Sequence, residues 1–438
     1  MRGHILFIAP SAYILSGLAS WLDYLEPGLH DKGWKVTIGL VEGSGFHNPE
    51  TYLLVHPHIN WIVISCLTGT PEGRIKAIQQ TVMELKPDLV ASVNIPDAYP
   101  AVNRLRGSRK YAPKIVMAVH GIEAYLYDDI KLFGSILDGV VCTNRLACKL
   151  SEIIGNFPEN RIHYGPCGAK TVDASFPDDH INTLTIAYSG RLEQWQKRVH
   201  DLPEIIKELE KMGVPFELLI AGNGPEDQAL RKSLGPWVNK KTVTFLGRLS
   251  SECMHEKLHL RAHTLLMPSF WETGPIVNWE AMAAGVVVVS SRFVGSGLEG
   301  ALKHGENALL FPVGDHKEAA IQLSRLVREP GLATRLAKNG YQIIKERYDI
   351  HVSINAWDTA FKEILDLPDR THRAFLPEIK ARGRLDNLLG IKIAEIIRGK
   401  IGKKVVANDA GGEWPHSYSG TECQDDSFWG IAKTADSP

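Results

Sequence analysis

Read for hydrophobic and polar positions, the chain opens on HILFIAP (4–10), apolar at nearly every place and ended by Pro10 and Ser11. A short run of that kind suits a strand buried on both faces. In GLASWLDYLEPGLHDKG the apolar residues switch to helical spacing, and WKVTIGLV is a second buried strand. The rhythm continues through WIVIS, DLVASVN, KIVMAVH and GVVCTN. Strand, helix, strand in this order predicts parallel strands joined by crossover helices. Around SFPDDHINT (175–183) the pattern lapses into turn residues, which predicts a linker. It then restarts with LTIAYSG, DLPEIIKELEKMG, FELLIAG, TVTFLG, HTLLMPS, VVVVSS and ALLFPVG.

The expectation is an α/β chain of two successive doubly wound parallel-sheet domains, one over 1–178 and one over 179–350. Ligands of such sheets sit at the carboxyl ends of the strands, and two units facing one another would enclose a cleft. HVSINAWDTAFKEILDL reads as a helix closing the second unit, within 351–377. The remaining 378–438 form an extension. Residues 380–404 hold eight Lys or Arg against Asp386 and Glu395, with Leu385, Leu389, Ile393, Ile396 and Ile397 at helical spacing. After 405 the tail is polar and mildly acidic and reads as disordered.

Composition narrows the class. With 438 residues, 44% of them hydrophobic and 23% charged, the chain has the proportions of a soluble two-domain enzyme. A formal net charge of -1 gives no general attraction to nucleic acid, so any basic patch is local. Six cysteines without a C-x-x-C pair argue against a zinc ribbon or a disulfide framework and for a reducing compartment. The apolar run in MRGHILFIAPSAY is too short for a signal-peptide core, and AMAAGVVVVSS is about half a membrane span. A cytoplasmic location is expected. The basic amphipathic stretch 380–404 adds a peripheral contact at the inner face of the membrane, weighed against a terminal helix packed on its own domain.

Two motifs compete for the chemistry. HEKLH (255–259) has the zinc-protease spacing, with His255 and His259 as ligands and Glu256 as base. It lies in a crossover helix leading into a buried strand, and the metzincin glycine is replaced by Ala262. GSGLEG (295–300) matches a dinucleotide fingerprint but comes late in the second domain and reads as a flexible loop. No Asp-x-Asp pair occurs, so phosphate charge must be met by cations and backbone N–H groups, without metal or cofactor.

The second motif is SFWETGPIVNWEAMAAG. Pro275 is expected at the first position of a helix, with the N–H groups of Gly274, Ile276 and Val277 left open at the strand end, where the helix dipole favours an anion. Glu272 precedes the helix, and Glu280 lies inside it, suited to accept from vicinal hydroxyls. Singly these are a capping acid and a surface acid. At the same sheet edge, however, AYSGRLEQWQK places Arg191 and Lys197, two cations able to neutralise a diphosphate. Together the four point to a nucleotide-sugar.

SGRL with Lys197, LLIAGNGPE, VTFLGRLS and above all PSFWETGPIVNWEAMAAGVVVVSS resemble the retaining glycosyltransferases of family 4. The likeness is strong over 185–315, weaker over the N-terminal half, and does not reach the tail beyond 370. It implies the GT-B fold, two Rossmann-like domains. By position it implies that Arg191 and Lys197 hold the donor diphosphate, Glu280 the ribose, and Glu272 a hydroxyl of the transferred sugar. Gly190 and Gly222 fall in the donor-side motifs, and backbone near Gly247 and Arg248 would meet the base. Gly17 matches the family's glycine loop, and His120 resembles a histidine that touches the sugar. Two departures stand out. Thr273, Gly274 and Pro275 replace a usual Gly-Phe-Gly, and Arg198 stands where Gly is common. The implied partners are a nucleotide-diphosphate sugar and a carbohydrate or lipid-linked acceptor. A nucleotide-sugar-binding protein without catalysis, and a zinc hydrolase built on HEKLH, are the alternatives.

Overall fold

The structure is a computed structural model, and it describes residues 2–11, 17–42, 48–107, 112–368, 384–402 and 426–437. Two compact units emerge. The first comprises Met1–Thr143, Ala147–Gly165 and Ile354–Asp425, and the second Asn144–Leu146, Pro166–Ser353 and Asp426–Pro438.

The first unit is built on seven strands: β1 (His4–Pro10), β2 (Lys35–Val41), β3 (Trp61–Ile64), β4 (Leu89–Val93), β5 (Lys114–Val119), β6 (Gly139–Cys142) and β7 (Ile162–Tyr164). Their order is β3-β2-β1-β4-β5-β6-β7, every pair parallel. The second unit carries β8 (Leu184–Ser189), β9 (Phe216–Ala221), β10 (Val243–Gly247), β11 (Thr264–Met267), β12 (Val287–Ser291) and β13 (Ala308–Phe311). Their order is β10-β9-β8-β11-β12-β13, again all parallel. Each sheet reverses its winding once, between β1 and β4 and between β8 and β11, which is the Rossmann-like arrangement. This α/β architecture agrees with the alternation of apolar runs. The three-residue β7 is absent from the pattern reading because so short an edge strand shows no period.

Burial explains the runs. Ile5, Leu6, Phe7 and Ile8 of β1 are sealed off completely, as are Val288 and Val289 of β12. In helix Asp201–Lys211 the buried residues Leu202, Ile205, Ile206 and Leu209 follow the helical period against the second sheet. Each such side chain contributes about 1.5–3 kcal/mol by leaving water.

Three expectations change. Helix Ile350–Asp366 does not close the second unit: from Ile354 onward it belongs to the first. Trp357 packs at 4.8 Å from Trp21, and a Cβ on Gly28 would meet Ile354 at 2.3 Å, so the helix fills a groove left by small residues. Beyond 405, residues 403–425 lie outside the described residues. Asp426–Ala435 is a helix, because Phe428, Trp429 and Ala432 give an otherwise polar tail one apolar face to bury. Of the basic stretch, 380–383 and 403–404 lie outside the described residues. The rest forms helices Arg384–Leu389 and Ile391–Ile401, separated at Gly390, whose φ of 76° is left-handed. Among the described residues no helix is long and apolar enough to cross a membrane.

Candidate functional site

The second unit gathers most of the candidate residues at the carboxyl ends of β8 to β11, beside its reversal point. Glycine makes this crowding tolerable. Gly222, with φ 138°, follows β9, and a Cβ there would stand 1.9 Å from the carbonyl oxygen of Gly190. Gly190 donates its N–H to Ala221 O at 3.1 Å, and Gly222 its N–H to Gly247 O at 2.8 Å. The ends of β8, β9 and β10 therefore lie backbone on backbone. Arg248 follows Gly247, exposed, with desolvation lowering its pKa.

From Gly190 the chain enters a loop organised on a buried carboxylate. Glu193 accepts the N–H groups of Trp195 (2.8 Å), Gln196 (3.2 Å) and Lys197. The loop then grips the turn after β11. Lys197 Nζ donates to Glu272 Oε1 at 2.6 Å, and Ser269 Oγ donates to the same oxygen at 2.8 Å. Gln196 Nε2 donates to Glu272 Oε2 at 3.3 Å, while its Oε1 accepts from Arg191 Nη2 at 2.8 Å. Phe270 N donates to Gln196 O at 2.7 Å, and Glu272 N to Val294 O at 3.1 Å. Glu272 is 4% exposed, so its charge is compensated by Lys197 rather than by water. The result is one chain of polar contacts, Arg191–Gln196–Glu272–Lys197, in which Lys197 pairs with the buried acid directly and Arg191 reaches it through Gln196.

Arg198 has a φ of 50°, a left-handed conformation that glycine adopts freely. Asp201 holds it by two bonds, from Nε at 2.8 Å and Nη2 at 3.0 Å, and these offset the strain.

Thr273 is half-buried, and Gly274 has φ 128°, which an ordinary side chain would resist. The helix beyond runs Ile276–Ala283, and Pro275 is its cap in extended conformation (φ -66°, ψ 94°), not its first turn. The shift is one residue, because the chain is still leaving the Gly274 turn. No side chain caps this end, and the first N–H bonds of the helix run from Asn278 and Trp279 to Pro275 O. The N–H groups of Ile276 and Val277 thus precede the helical ladder. Glu280 follows a turn later. Desolvation raises its carboxyl to about 7. Asn278 is fully buried with its amide unpaired among the described residues.

HEKLH does not form one helical face. Helix Ser251–Lys257 ends before it is complete, Leu258 takes φ -120° and ψ -61°, and His259 starts a separate turn. The two rings lie 6.4 Å apart, and burial lowers His259 to a pKa of about 4. Among the described residues no three His, Cys, Asp or Glu side chains are grouped to hold a metal ion. GSGLEG is no loose loop: three of its N–H groups hold a carboxylate from the C-terminal helix.

The remaining candidates belong to the first unit. Gly17, exposed, begins helix Gly17–Asp31, and 12–16 lie outside the described residues. His120 follows β5 between Trp21 (4.4 Å) and Trp357 (6.2 Å), and burial lowers its pKa to about 3, so it stands neutral. Sequence reading passed over Gln196, Ser269 and Glu193. The only trace of the first was its place beside Lys197 in RLEQWQK.

Residues 178–343 match the family described as Glycosyl transferases group 1. The chain is 26% identical over 179 residues to the alpha-D-kanosaminyltransferase of Streptomyces kanamyceticus, covering 41% of this chain and 45% of that protein. It is 28% identical over 164 residues to the glycogen synthase of Mycobacterium tuberculosis, covering 37% and 39%. The chain thus spans less than half the length of these curated relatives. The crystal structure of Anabaena HepE in complex with UDP aligns with a TM-score of 0.67 at 18% identity, over 82% of this chain and 99% of that one. That likeness shows the fold, GT-B.

Proposed function

We propose, from the match of residues 178–343 to the glycosyl transferases group 1 family, that the chain is a metal-independent retaining glycosyltransferase of the family 4 type. It moves a sugar from a nucleotide-diphosphate donor to a hydroxyl of a carbohydrate or lipid-linked acceptor. The observation that carries this is the Arg191–Gln196–Glu272–Lys197 network beside an uncapped helix start.

Breaking the bond between sugar and diphosphate leaves negative charge on the departing phosphate. Arg191 and Lys197 neutralise it, and the N–H groups of Gly274, Ile276 and Val277 add fixed dipoles. Glu272 accepts three bonds, from Lys197, Ser269 and Gln196. A carboxylate has about four acceptor positions, so one stays for a hydroxyl of the transferred sugar. Its partners hold the group in place before the donor arrives, which is where such a site gains its rate. Glu280 takes the ribose hydroxyls, and backbone at Gly247 and Arg248 the base. The acceptor attacks from the face the nucleotide leaves, and the leaving phosphate takes its proton. HepE, solved with UDP, supports a nucleoside-diphosphate donor. His120 and Gly17, both in the first unit, stay proposals carried by the resemblance to the family.

A peripheral contact with anionic membrane through 380–404 belongs to the same reading. Its helices are turned inside out. Glu395 accepts from the hydroxyls of Thr68 and Thr70 at 2.5 Å each, and Arg398 pairs with Asp386 at 2.6 Å, all buried. Leu388 and Ile401 stand 79% and 64% exposed, with Ile393 and Ile396 also outward beside Arg384, Lys392 and Lys400. A helix on a water-facing surface does the reverse, and an apolar face edged with cations suits lipid headgroups. Equal sedimentation of wild type and Ile393→Ser/Ile396→Ser with phosphatidylglycerol vesicles would remove this contact.

The donor reading is tested by thermal melts with UDP, GDP, ADP, dTDP and their sugar conjugates, all in EDTA. A shift with one nucleotide, lost in Glu280→Ala, is expected. Silence across the panel overturns it.

A further inference from the structure

The loop after β12 wraps its backbone around a carboxylate supplied from the far end of the chain. Gly295 N and Gly297 N donate to Asp436 Oδ2 at 2.7 and 3.1 Å, and Leu298 N donates to Oδ1 at 3.0 Å. Successive peptide N–H groups converging on one point form a concave anion site. Only glycine fits at 297, where a Cβ would stand 1.7 Å from the Asp436 carbonyl oxygen. The loop is braced from behind. Asn144 Nδ2 donates to Gly295 O at 2.9 Å, and buried Glu299 accepts from Arg145 N at 3.0 Å and from the hydroxyl of Tyr348. None of these bracing contacts uses Asp436.

Asp436 is delivered by helix Asp426–Ala435, which docks through Trp429 at 4.9 Å from Phe270 and 6.2 Å from Trp271. Lys433 Nζ lies 5.3 Å over the Phe270 ring. Phe270 and Trp271 are the two residues before Glu272, and Gly295 and Ser296 line one pocket with Gly274 and Pro275. The carboxylate therefore sits next to the turn that carries the proposed chemistry. Burial raises the Asp436 pKa against the pull of the three N–H groups.

We propose that residues 295–298 are a binding site for a compact oxyanion, a carboxylate or phosphate group carried by the acceptor, and that Asp436 fills it as an internal stand-in until the C-terminal helix leaves. The anion site stands on the loop geometry alone. Only its assignment to the acceptor rests on the transferase reading.

Amide hydrogen exchange on the full chain tests the site without any need for turnover, so its failure is separate from failure of the transferase reading. In wild type, Gly295, Gly297 and Leu298 are expected to be protected and indifferent to added inorganic phosphate or glucuronate. Trp429→Ala removes the docking anchor, and Asp436→Asn removes the anion and leaves the helix in place. Both are expected to speed exchange at these amides by about tenfold or more, while β12 and β13 stay protected, which reports an intact sheet. Added anion then restores protection in the variants. Restoration by phosphate alone identifies a phosphate-bearing group, by glucuronate alone a uronate, and by both an unselective oxyanion site. Unchanged exchange in both variants, or faster exchange that neither anion reverses, overturns the proposal.

Discussion

Two neighbouring stretches of the second unit each hold a pair of ionisable side chains, His255 with His259 and Glu272 with Glu280. In the first, the helix ends at Lys257, and His259 turns into the core as a neutral ring with no grouping of ligands about it among the described residues. In the second, Glu272 is tied to Lys197, Ser269 and Gln196, and Glu280 rides a helix whose N-terminus is open. Residue type and spacing are equally suggestive in both. What separates them is the surrounding geometry: one pair lost its common face where the backbone broke, and the other gained partners from a loop some 75 positions earlier in the chain.

The hardest blow to that contrast is struck at Lys197. Lys197→Met is expected to lower kcat by about 10²-fold or more, as for loss of one preorganised charge donor. It should also cost about 3 kcal/mol of stability, because Glu272 is left charged, buried and unpaired. The double variant Lys197→Met/Glu272→Gln should recover much of the melting temperature and none of the turnover. Arg191→Ala should lose turnover similarly with little change in melting. Near-normal kcat in both single variants would break the comparison.

A pH series sharpens it. Glu280 has its carboxyl raised from 4.5 to about 7 by burial. A raised acid binds its proton more tightly folded than unfolded, so its contribution to stability falls as pH rises from 4.5 to about 7. Donor binding uses the ionised form and runs the other way, strengthening by about tenfold between pH 6 and 8. Calorimetric titration with the nucleotide should show that rise, and Glu280→Gln should flatten it at low affinity. A pH-independent affinity in wild type would count against Glu280 as the ribose acceptor.

The same contrast expects little from HEKLH. His255→Ala should leave turnover in EDTA unchanged within about twofold, since this half-buried ring lies outside the network around Glu272. Stoichiometric zinc in the pure protein, lost together with activity in that variant, would reverse the ranking of the two stretches. Smallest of all, Asn278→Leu replaces a buried amide that has no partner among the described residues by an apolar chain of similar volume. It should raise stability by about 1 kcal/mol and leave kcat alone. A fall in kcat would bring Asn278 into the site.

Much of this architecture was legible residue by residue. The parallel sheets followed from runs such as HILFIAP and VVVVSS, and the loops carrying Arg191, Lys197 and Glu272 from where those runs stop. Gln196, Ser269 and Glu193 were not legible, because a neutral or acidic side chain in a loop has no period and its partners lie elsewhere. Nor was the allegiance of Trp357, since the groove its helix fills is left by residues near the start of the chain, such as Gly28.

By itself, the sequence determined the element types, their alternation and the strand ends at which charge collects, because apolar periodicity is imposed by the backbone repeat and is written locally. Only the tertiary structure decided that Lys197 closes on Glu272, that the polar side of helix Ile391–Ile401 faces Thr68 and Thr70, and that Asp436 reaches the amides of 295–298. Those choices are pairings across 75, 325 and 141 positions. Such pairings are made only when the sheets bring the partners within hydrogen-bonding distance and water is gone.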